Sequence, residues 1–357
     1  MKQLRMIRPK IGIALGSGVA RGWAHIGVLK ALSRAGIEPD IVSGTSIGAL
    51  VGGCHLAGKI EPLEEFARGL NRRRLLGLVD FRFRSSGLIG DSKLEALMRE
   101  HLGDLDIENL DRTFVGVATE LATGHEVWLR EGNLVQAIRA SYALPGVFAP
   151  VPIDNRWLID GAVVNPVPVS VARALGARLV IAVNLNTDPF DPATRRHFEQ
   201  GMNPFYVSGV PPLPEADIAK DIAEMIDAED SEDAEAAQEA APAETDENAT
   251  MMSGIRDTLS RLRGHRREPE QEIVKRAIGT RQRGPGFASV LLASLNIVQD
   301  RLARARLASD PPDVVIAPKI GHLNLLEFDR ADELIRCGED AVEEVLPHIR
   351  ETISLLQ

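Results

Sequence analysis

The first sixty residues constrain the fold more than any other part of the chain, because they contain two apolar runs that are each followed by a glycine-containing turn and a helical pattern. The first run is Lys10–Leu15, and the turn of residues 16–22 separates it from the helical pattern of residues 23–35. The second run is Asp40–Ser43, and a further helical pattern starts at Ala49. Such strand–turn–helix units build parallel sheets with right-handed crossovers. We therefore predict an α/β fold with a mostly parallel central sheet.

The turn after the second run places a serine between two glycines, in the sequence Gly44-Thr45-Ser46-Ile47-Gly48. Glycines at these positions allow the backbone to turn tightly. A G-x-S-x-G sequence between a strand and a helix is typical of a nucleophile elbow, which exposes the serine hydroxyl at the edge of a sheet. An ordinary Gly/Ser turn is the alternative interpretation. Ser46 is the candidate nucleophile.

The turn after the first run, Gly16-Ser17-Gly18-Val19-Ala20-Arg21-Gly22, is a candidate anion-binding site. Its backbone N–H groups lie beside the positive end of the dipole of the following helix. In a parallel sheet this turn emerges at the same edge as Ser46, where N–H donors can stabilise the oxyanion of a tetrahedral intermediate. A dinucleotide-binding turn is the alternative, but its G-x-G-x-x-G spacing differs from the G-x-G-x-x-x-G found here.

Asp160 is the candidate base that a weakly nucleophilic serine hydroxyl needs. It follows the apolar residues 157–159 and precedes Gly161 and Ala162, whose small size lets another part of the backbone approach. A carboxylate at such a strand end can accept the serine proton when partial burial raises its pKa towards neutrality. An Asp-Gly turn between strands is the alternative interpretation.

Histidine is the usual base in a serine triad, where it follows the serine and the acid along the chain. His322 and His348 lie late in the predicted folded sequence, but neither occurs in a glycine-rich loop that ends a strand. His25 lies in the first predicted helix, where a packed or capping histidine is the more common role. A triad through His322 is the alternative to Asp160 as the base.

The composition argues against several functional classes. Apolar residues make up 44% of the 357 residues, enough for a large core, but only 4% are aromatic, and no basic stripe with interleaved aromatics occurs. We therefore expect no nucleic-acid binding. The two cysteines, Cys54 and Cys337, form no C-x-x-C pair, so we expect free thiols, no metal site and no cofactor.

Targeting signals are also absent from the sequence pattern. Residues 1–10 carry four basic residues but lack the apolar core of a secretory signal. No run reaches the roughly 18 apolar residues of a membrane span. We expect a cytoplasmic protein whose contact with membranes is transient and peripheral.

The net charge of −10 is concentrated in one region. Residues 211–250 carry fourteen Asp and Glu against one Lys, so the rest of the chain has a slightly positive balance. Residues 191–283 combine this acidic tract with prolines and an Arg-rich segment, which predicts a largely disordered insertion, with a short helix or a transient one at residues 218–226. We accordingly divide the chain into a first folded part, residues 1–190, the insertion, and a C-terminal folded part, residues 284–357.

Apolar periodicity and turn signals predict the remaining elements. A hairpin is expected to turn at Asp154-Asn155. The predicted strands are residues 113–119, 126–130, 179–185 and 314–316, and the predicted helices are residues 94–101, 134–141, 287–307 and 331–346.

Four segments together resemble, in order and spacing, the patatin-like phospholipase family. They are the Gly16–Leu29 segment, Gly44–Gly48, the segment Ala140-Ser141-Tyr142-Ala143-Leu144-Pro145-Gly146-Val147-Phe148, and Asp160-Gly161-Ala162. The match is closest to the bacterial branch that is similar to the catalytic domain of neuropathy target esterase. It covers residues 8–190, with weaker agreement over residues 285–341. The resemblance implies a three-layer α/β/α fold and hydrolysis of phospholipids, lysophospholipids or related lipid esters.

The family resemblance also implies site residues. Ser46 and Asp160 would form a dyad without histidine, and the backbone N–H groups of Gly18 and Val19 would hold the oxyanion. Ser17 and Val19 stand where the family has a run of glycines. Arg21 would either brace the turn or meet a lipid phosphate, and a surface ion pair is the alternative interpretation. The residues expected to support these motifs are Gly16, Ser17, Arg21, Gly22, Gly44, Gly48, Gly161 and Ala162. A non-catalytic adaptor with the same fold is the alternative function.

Overall fold

The structure, a computed structural model, describes residues 9–71, 74, 80–81, 89–90, 92–186, 287–323 and 325–356. The predicted insertion at residues 191–283, with its helix at residues 218–226, lies outside the described residues. The chain divides into two compact units, residues 1–208 with 291–357, and residues 209–290. Only residues 287–290 of the second unit are described, and the fold below is that of the first.

The described elements follow the order predicted from the sequence, with additional short strands and helices. The strands are β1 (Ile11–Leu15), β2 (Ile41–Thr45), β3 (Asp80–Phe81), β4 (Ile89–Gly90), β5 (Thr113–Glu120), β6 (Glu126–Leu129), β7 (Val151–Ile153), β8 (Arg156–Asp160), β9 (Leu179–Val183) and β10 (Val314–Ile316). The helices are α1 (Ala24–Arg34), α2 (Ile47–Leu56), α3 (Ile60–Arg68), α4 (Ser92–Leu102), α5 (Leu134–Tyr142), α6 (Val169–Ala174), α7 (Phe287–Ser309) and α8 (Ala331–Leu356). Single 3-10 turns occur at Val19–Trp23, Ile107–Asn109, Gly161–Val163 and Phe328–Arg330.

The centre of the fold is an eight-stranded sheet in which β10, β9, β1, β2 and β5 pair in parallel, in that order. Every residue of β1, β2 and β9 is buried, as expected of parallel strands that are covered on both faces. Side chains of one face, such as Ile13 and Ile181, pack with α1, α2, α5 and α8. Side chains of the other face, such as Val180, pack with α6 and with Ala303 of α7. The predicted α/β/α fold with a mostly parallel sheet is confirmed.

The antiparallel strands bring the ends of β2 and β8 together on one edge of β5. Residues 116–117 of β5 pair with β2 and with β6, while residues 118–119 pair with β6 and with β8. Because a strand has only two edges, β2 and β8 must share the edge opposite β6. They run in opposite directions along β5 and meet where Thr45 pairs with Val117 and Asp160 pairs with Ala118. This end-to-end meeting brings the elbow after β2 next to the end of β8.

Helices α1 and α8 pack at unusually close range through two glycines. A Cβ atom on Gly27 would lie 1.9 Å from the carbonyl oxygen of Ile335, and one on Gly338 would lie 2.0 Å from that of Ala24. The two backbones therefore touch where each helix lacks a side chain. This contact attaches the C-terminal helix to the helix that follows the first glycine-rich turn.

The predicted C-terminal end of α8 at Leu346 is wrong, because the helix continues through Pro347 to Leu356. Proline removes a helical hydrogen bond and its ring crowds the preceding turn, which normally ends a helix. Here Val342 and Ile349, on either side of the proline, are 1% and 0% exposed. Burial of these side chains on the core offsets the local cost. The other predicted elements differ from the structure by one or two residues at their ends, as is usual for helix and strand boundaries.

Candidate active site

Ser46 occupies a strained position between the end of β2 and the first residue of α2. Its φ is 58° and its ψ −123°, a conformation that non-glycine residues rarely adopt. The neighbouring glycines permit the turn, because a Cβ on Gly48 would lie 2.2 Å from the oxygen of Leu15 and one on Gly44 would lie 2.5 Å from the oxygen of Gly48. Gly22, in the first glycine-rich turn, also permits this arrangement, because a Cβ atom on Gly22 would overlap the side chain of Ile47. The segment has the geometry of a nucleophile elbow.

The hydroxyl of Ser46 donates a hydrogen bond to the carboxylate of Asp160, with 2.7 Å between Oγ and Oδ2. The other carboxylate oxygen, Oδ1, accepts the backbone N–H of Ala162 at 2.8 Å. Gly161 allows the chain to pass β5 closely, because a Cβ there would lie 2.2 Å from the oxygen of Val117. Both carboxylate oxygens of Asp160 are thus held in fixed directions, one of them towards the serine.

Burial controls the ionisation of Asp160. Only 1% of the residue is exposed, and this desolvation raises the pKa of the carboxyl to about 7, although the hydrogen bonds from Ala162 and Ser46 partly oppose the rise. Near neutral pH the carboxylate and the carboxylic acid are both populated. A group with such a pKa can accept a proton and return it at the same pH.

The side chain of Ser141 on α5 is hydrogen-bonded to the backbone of the elbow. The backbone N–H of Ser46 donates to its Oγ at 2.9 Å, and that hydroxyl donates onward to the oxygen of Val117 at 2.6 Å. Nearby, the backbone N–H of Asp160 donates to the oxygen of Ala143 at 2.9 Å. Ser141 and Ala143 belong to a segment that resembles the family, but neither was predicted to have a role. Their position in an apolar stretch close to a proline was the only signal available.

Four backbone donors of the glycine-rich turn have a hydrogen-bond acceptor. The N–H groups of Gly16, Ser17 and Ala20 donate to the oxygens of Val183, Pro166 and Leu325, respectively, and the N–H of Arg21 donates to Gly18. Within the described part of the chain, the N–H groups of Gly18 and Val19 have no hydrogen-bond acceptor. These two are the predicted oxyanion donors.

Arg21 and His25 hold the turn in place. The guanidinium of Arg21 donates from Nε and Nη2 to the oxygen of Leu323, at 2.9 and 2.7 Å. Burial lowers its pKa to about 10, so the group stays charged at neutral pH. The ring Nε2 of the fully buried His25 lies 2.7 Å from the oxygen of Gly16, and burial lowers the pKa of this imidazole to about 4. These contacts support the bracing interpretation of Arg21 and the packing interpretation of His25.

The alternative base, His322, lies in a different environment. Its Nε2 lies within hydrogen-bonding distance of Oε1 of Glu333, at 2.7 Å, and both side chains are partly exposed. Within the described residues, the side-chain hydrogen bonds at Ser46 connect it to Asp160 and Ser141 and not to His322. The structure therefore brings the predicted serine and aspartate together and leaves the predicted histidine alternative apart.

A small cleft opens beside the N–H groups of Gly18 and Val19. It is open to solvent and has a cavity volume of about 20 Å³. Its lining consists of Gly18, Val19, Leu144, Leu295, Asn296, Gln299, Leu325 and Leu326. Among the residues that the structure describes, no cluster of three or more His, Cys, Asp or Glu side chains could hold a metal ion. The described helices also include none that is long and apolar enough to cross a membrane.

Comparisons with known proteins agree with this architecture. The sequence profile of the family described as "Patatin-like phospholipase" matches residues 13–173. An NTE family protein of Mycobacterium tuberculosis is 35% identical over 339 residues, which span 95% of this chain and 91% of that protein. A patatin-like phospholipase domain-containing protein of Caenorhabditis elegans is 37% identical over 50% of this chain and 14% of its own length, and neuropathy target esterase of Drosophila melanogaster is 33% identical over 50% and 13%. The predicted family is confirmed: the chain belongs to the NTE family of patatin-like phospholipases.

Proposed function

We propose that the chain is a serine acyl-ester hydrolase that acts on phospholipids, lysophospholipids or related lipid esters through a Ser46–Asp160 dyad. The observation that carries the proposal is the 2.7 Å hydrogen bond from the strained Ser46 hydroxyl to the buried Asp160 carboxylate. Membership of a family of phospholipases supports the lipid substrate. Because such substrates reside in membranes, transient contact with a membrane surface is part of the proposal.

The first half of the reaction forms an acyl-serine. Asp160 Oδ2 accepts the proton of Ser46 Oγ as this oxygen attacks the carbonyl carbon of the ester. The negative charge that develops on the carbonyl oxygen is stabilised by the N–H groups of Gly18 and Val19. The ester C–O bond then breaks, and the protonated Asp160 returns its proton to the leaving oxygen of the alcohol or lysolipid.

The second half of the reaction regenerates the serine. Asp160 accepts a proton from a water molecule, and the resulting hydroxide attacks the acyl-serine carbonyl. The same two N–H groups stabilise the second oxyanion, the fatty acid leaves, and Ser46 Oγ recovers its proton from Asp160. The carboxyl pKa of about 7 suits both directions of proton transfer, which an exposed aspartate with a pKa near 3.9 would not.

Hydrolysis of p-nitrophenyl butyrate by single-residue variants tests the dyad. Ser46→Ala and Asp160→Asn should each lower kcat/KM by at least about 10³-fold, because one removes the nucleophile and the other the base. His322→Ala is the matched control and should retain the wild-type rate, since its partner is Glu333. Circular dichroism verifies that each variant is folded.

Two results contradict the proposal. Full activity in Asp160→Asn with loss of activity in His322→Ala would replace the dyad by a triad. A wild-type protein that neither hydrolyses acyl esters nor reacts at Ser46 with a fluorophosphonate would favour the adaptor, because only an activated serine reacts with that probe.

A further inference from the structure

Val19 adopts a backbone conformation that β-branched residues rarely tolerate. Its φ is 51°, in the left-handed region where Cβ crowds the following carbonyl oxygen. The other described non-glycine residues with positive φ are Ser46 in the elbow and Asp154 and Asn155 in the tip of the β7–β8 hairpin. Of these four, Val19 is the only β-branched residue. Glycine would occupy this position without strain.

The neighbours of Val19, and not its own side chain, impose this conformation. On the N-terminal side of Val19, Leu185 packs closely on Gly18: a Cβ atom on Gly18 would lie 3.0 Å from Leu185 Cδ1. On the C-terminal side of Val19, the N–H of Ala20 donates to the oxygen of Leu325, and the guanidinium of Arg21 donates to the oxygen of Leu323. The turn is therefore fixed on both sides of Val19. Strain of this kind persists where the surroundings overdetermine it and is common at ligand sites.

The isopropyl group of Val19 contributes little to the core. Val19 is partly exposed, and it is absent from the hydrophobic clusters of the described core. It lines instead the cleft formed with Leu144, Leu295, Leu325 and Leu326. The side chain thus lies on the wall of an apolar cleft, next to the N–H group that is proposed to hold the ester oxygen.

We propose that this cleft holds the part of the substrate's acyl chain next to the carbonyl and that the Val19 side chain limits how much of the chain fits. The inference rests on the proposed function, since it places the acyl carbonyl at the N–H groups of Gly18 and Val19. The four leucines of the lining match an alkyl chain. The two remaining side chains, Asn296 and Gln299, are neutral amides and offer no charge to a phosphate headgroup. The carbons of the isopropyl group occupy space that two or three methylene groups of a longer chain would need.

A series of Val19 variants measured on p-nitrophenyl butyrate and octanoate tests this assignment. The quantity of interest is the ratio of kcat/KM for octanoate to that for butyrate. It should rise about tenfold in Val19→Gly and to a smaller extent in Val19→Ala, and fall in Val19→Ile, because each buried methylene changes transition-state binding severalfold. Asn155→Gly is the matched control: it relieves a positive φ of 61° in the exposed hairpin turn and should leave the ratio unchanged.

The ratio distinguishes a specificity role from a structural one. If Val19 only positioned the oxyanion donors, its variants would change kcat/KM for both esters by the same factor, and that result would overturn the assignment. A ratio that does not follow side-chain size across Gly, Ala, Val and Ile would do the same. A wild-type protein that hydrolyses neither ester, or a Ser46→Ala protein with full activity, would instead contradict the proposed function on which the assignment depends.

Discussion

At the scale of single residues, the site depends on a carboxyl group kept in an environment that disfavours its charge. Asp160 is 1% exposed, and its two hydrogen-bond donors, Ala162 and Ser46, compensate for only part of the desolvation. The protein therefore maintains a carboxyl group, the proposed base, with a pKa near neutrality at the cost of stability. The pH dependence of the free energy of unfolding tests this statement.

Replacing Asp160 by asparagine should stabilise the fold above neutral pH. The unfolded chain releases the Asp160 proton near pH 3.9, while the folded protein keeps it up to about pH 7, so the wild-type free energy of unfolding falls as pH rises through this window. Asp160→Asn removes this dependence. At pH 8 we expect it to be more stable by up to about 4 kcal/mol, the equivalent of about three pKa units.

Urea denaturation of both proteins at pH 4 and pH 8 measures this difference. The advantage of Asp160→Asn should fall below about 1 kcal/mol at pH 4, where the carboxyl of the folded protein is protonated and that of the unfolded chain is about half protonated. A constant difference at both pH values would contradict a raised pKa for Asp160.

At the scale of elements, the close crossing of α1 and α8 links the C-terminal helix to the helix that begins next to the glycine-rich turn. Gly27 and Gly338 make that crossing possible. The neighbouring buried residues Leu334 and Ile335 fill the core beside it. A side chain at either glycine would force the two helices apart, because the atoms opposite belong to backbone and cannot rotate away.

Gly27→Ala should therefore destabilise the protein by about 3 kcal/mol, at the upper end of the usual cost of overpacking and against the helix preference for alanine. Gly116→Ala is the matched control, because a Cβ on that buried strand residue would meet its nearest atoms at an ordinary 3.7 Å. Chemical denaturation gives both values. An equal effect of the two substitutions would show that the helix crossing tolerates a side chain.

At the scale of the whole molecule, local sequence patterns predicted what depends on local chemistry. The apolar runs of β1 and β9 identified strands, and the glycines around Ser46 indicated the elbow. The end-to-end meeting of β2 and β8 was not predictable in this way, because periodicity indicates a strand but not its partner. The pairing of Ser46 with Asp160 was implied by family resemblance, and the residues alone left the Asp-Gly turn and the histidine alternative open.

Three other features were not predictable from the sequence, because they depend on tertiary contacts. Ser141 supports Ser46 from 95 positions away along the chain, through a contact that only the packing of α5 on the sheet creates. Helix α8 continues through Pro347 because the tertiary contacts of Ile349 outweigh a local rule. The left-handed Val19 likewise follows from the contacts of its neighbours and not from its own preference.

The pH dependence of fluorophosphonate labelling tests most directly whether Asp160 activates Ser46. The probe reacts with the serine alone, so its rate reports the nucleophile without the later steps of hydrolysis. The rate should rise as pH increases through about 7, where the buried carboxyl ionises, and then level off. Asp160→Asn should label at least about 100-fold more slowly and lose this rise. A rate that is independent of pH between 5 and 9, or an Asp160→Asn protein that labels like the wild type, would contradict the dyad.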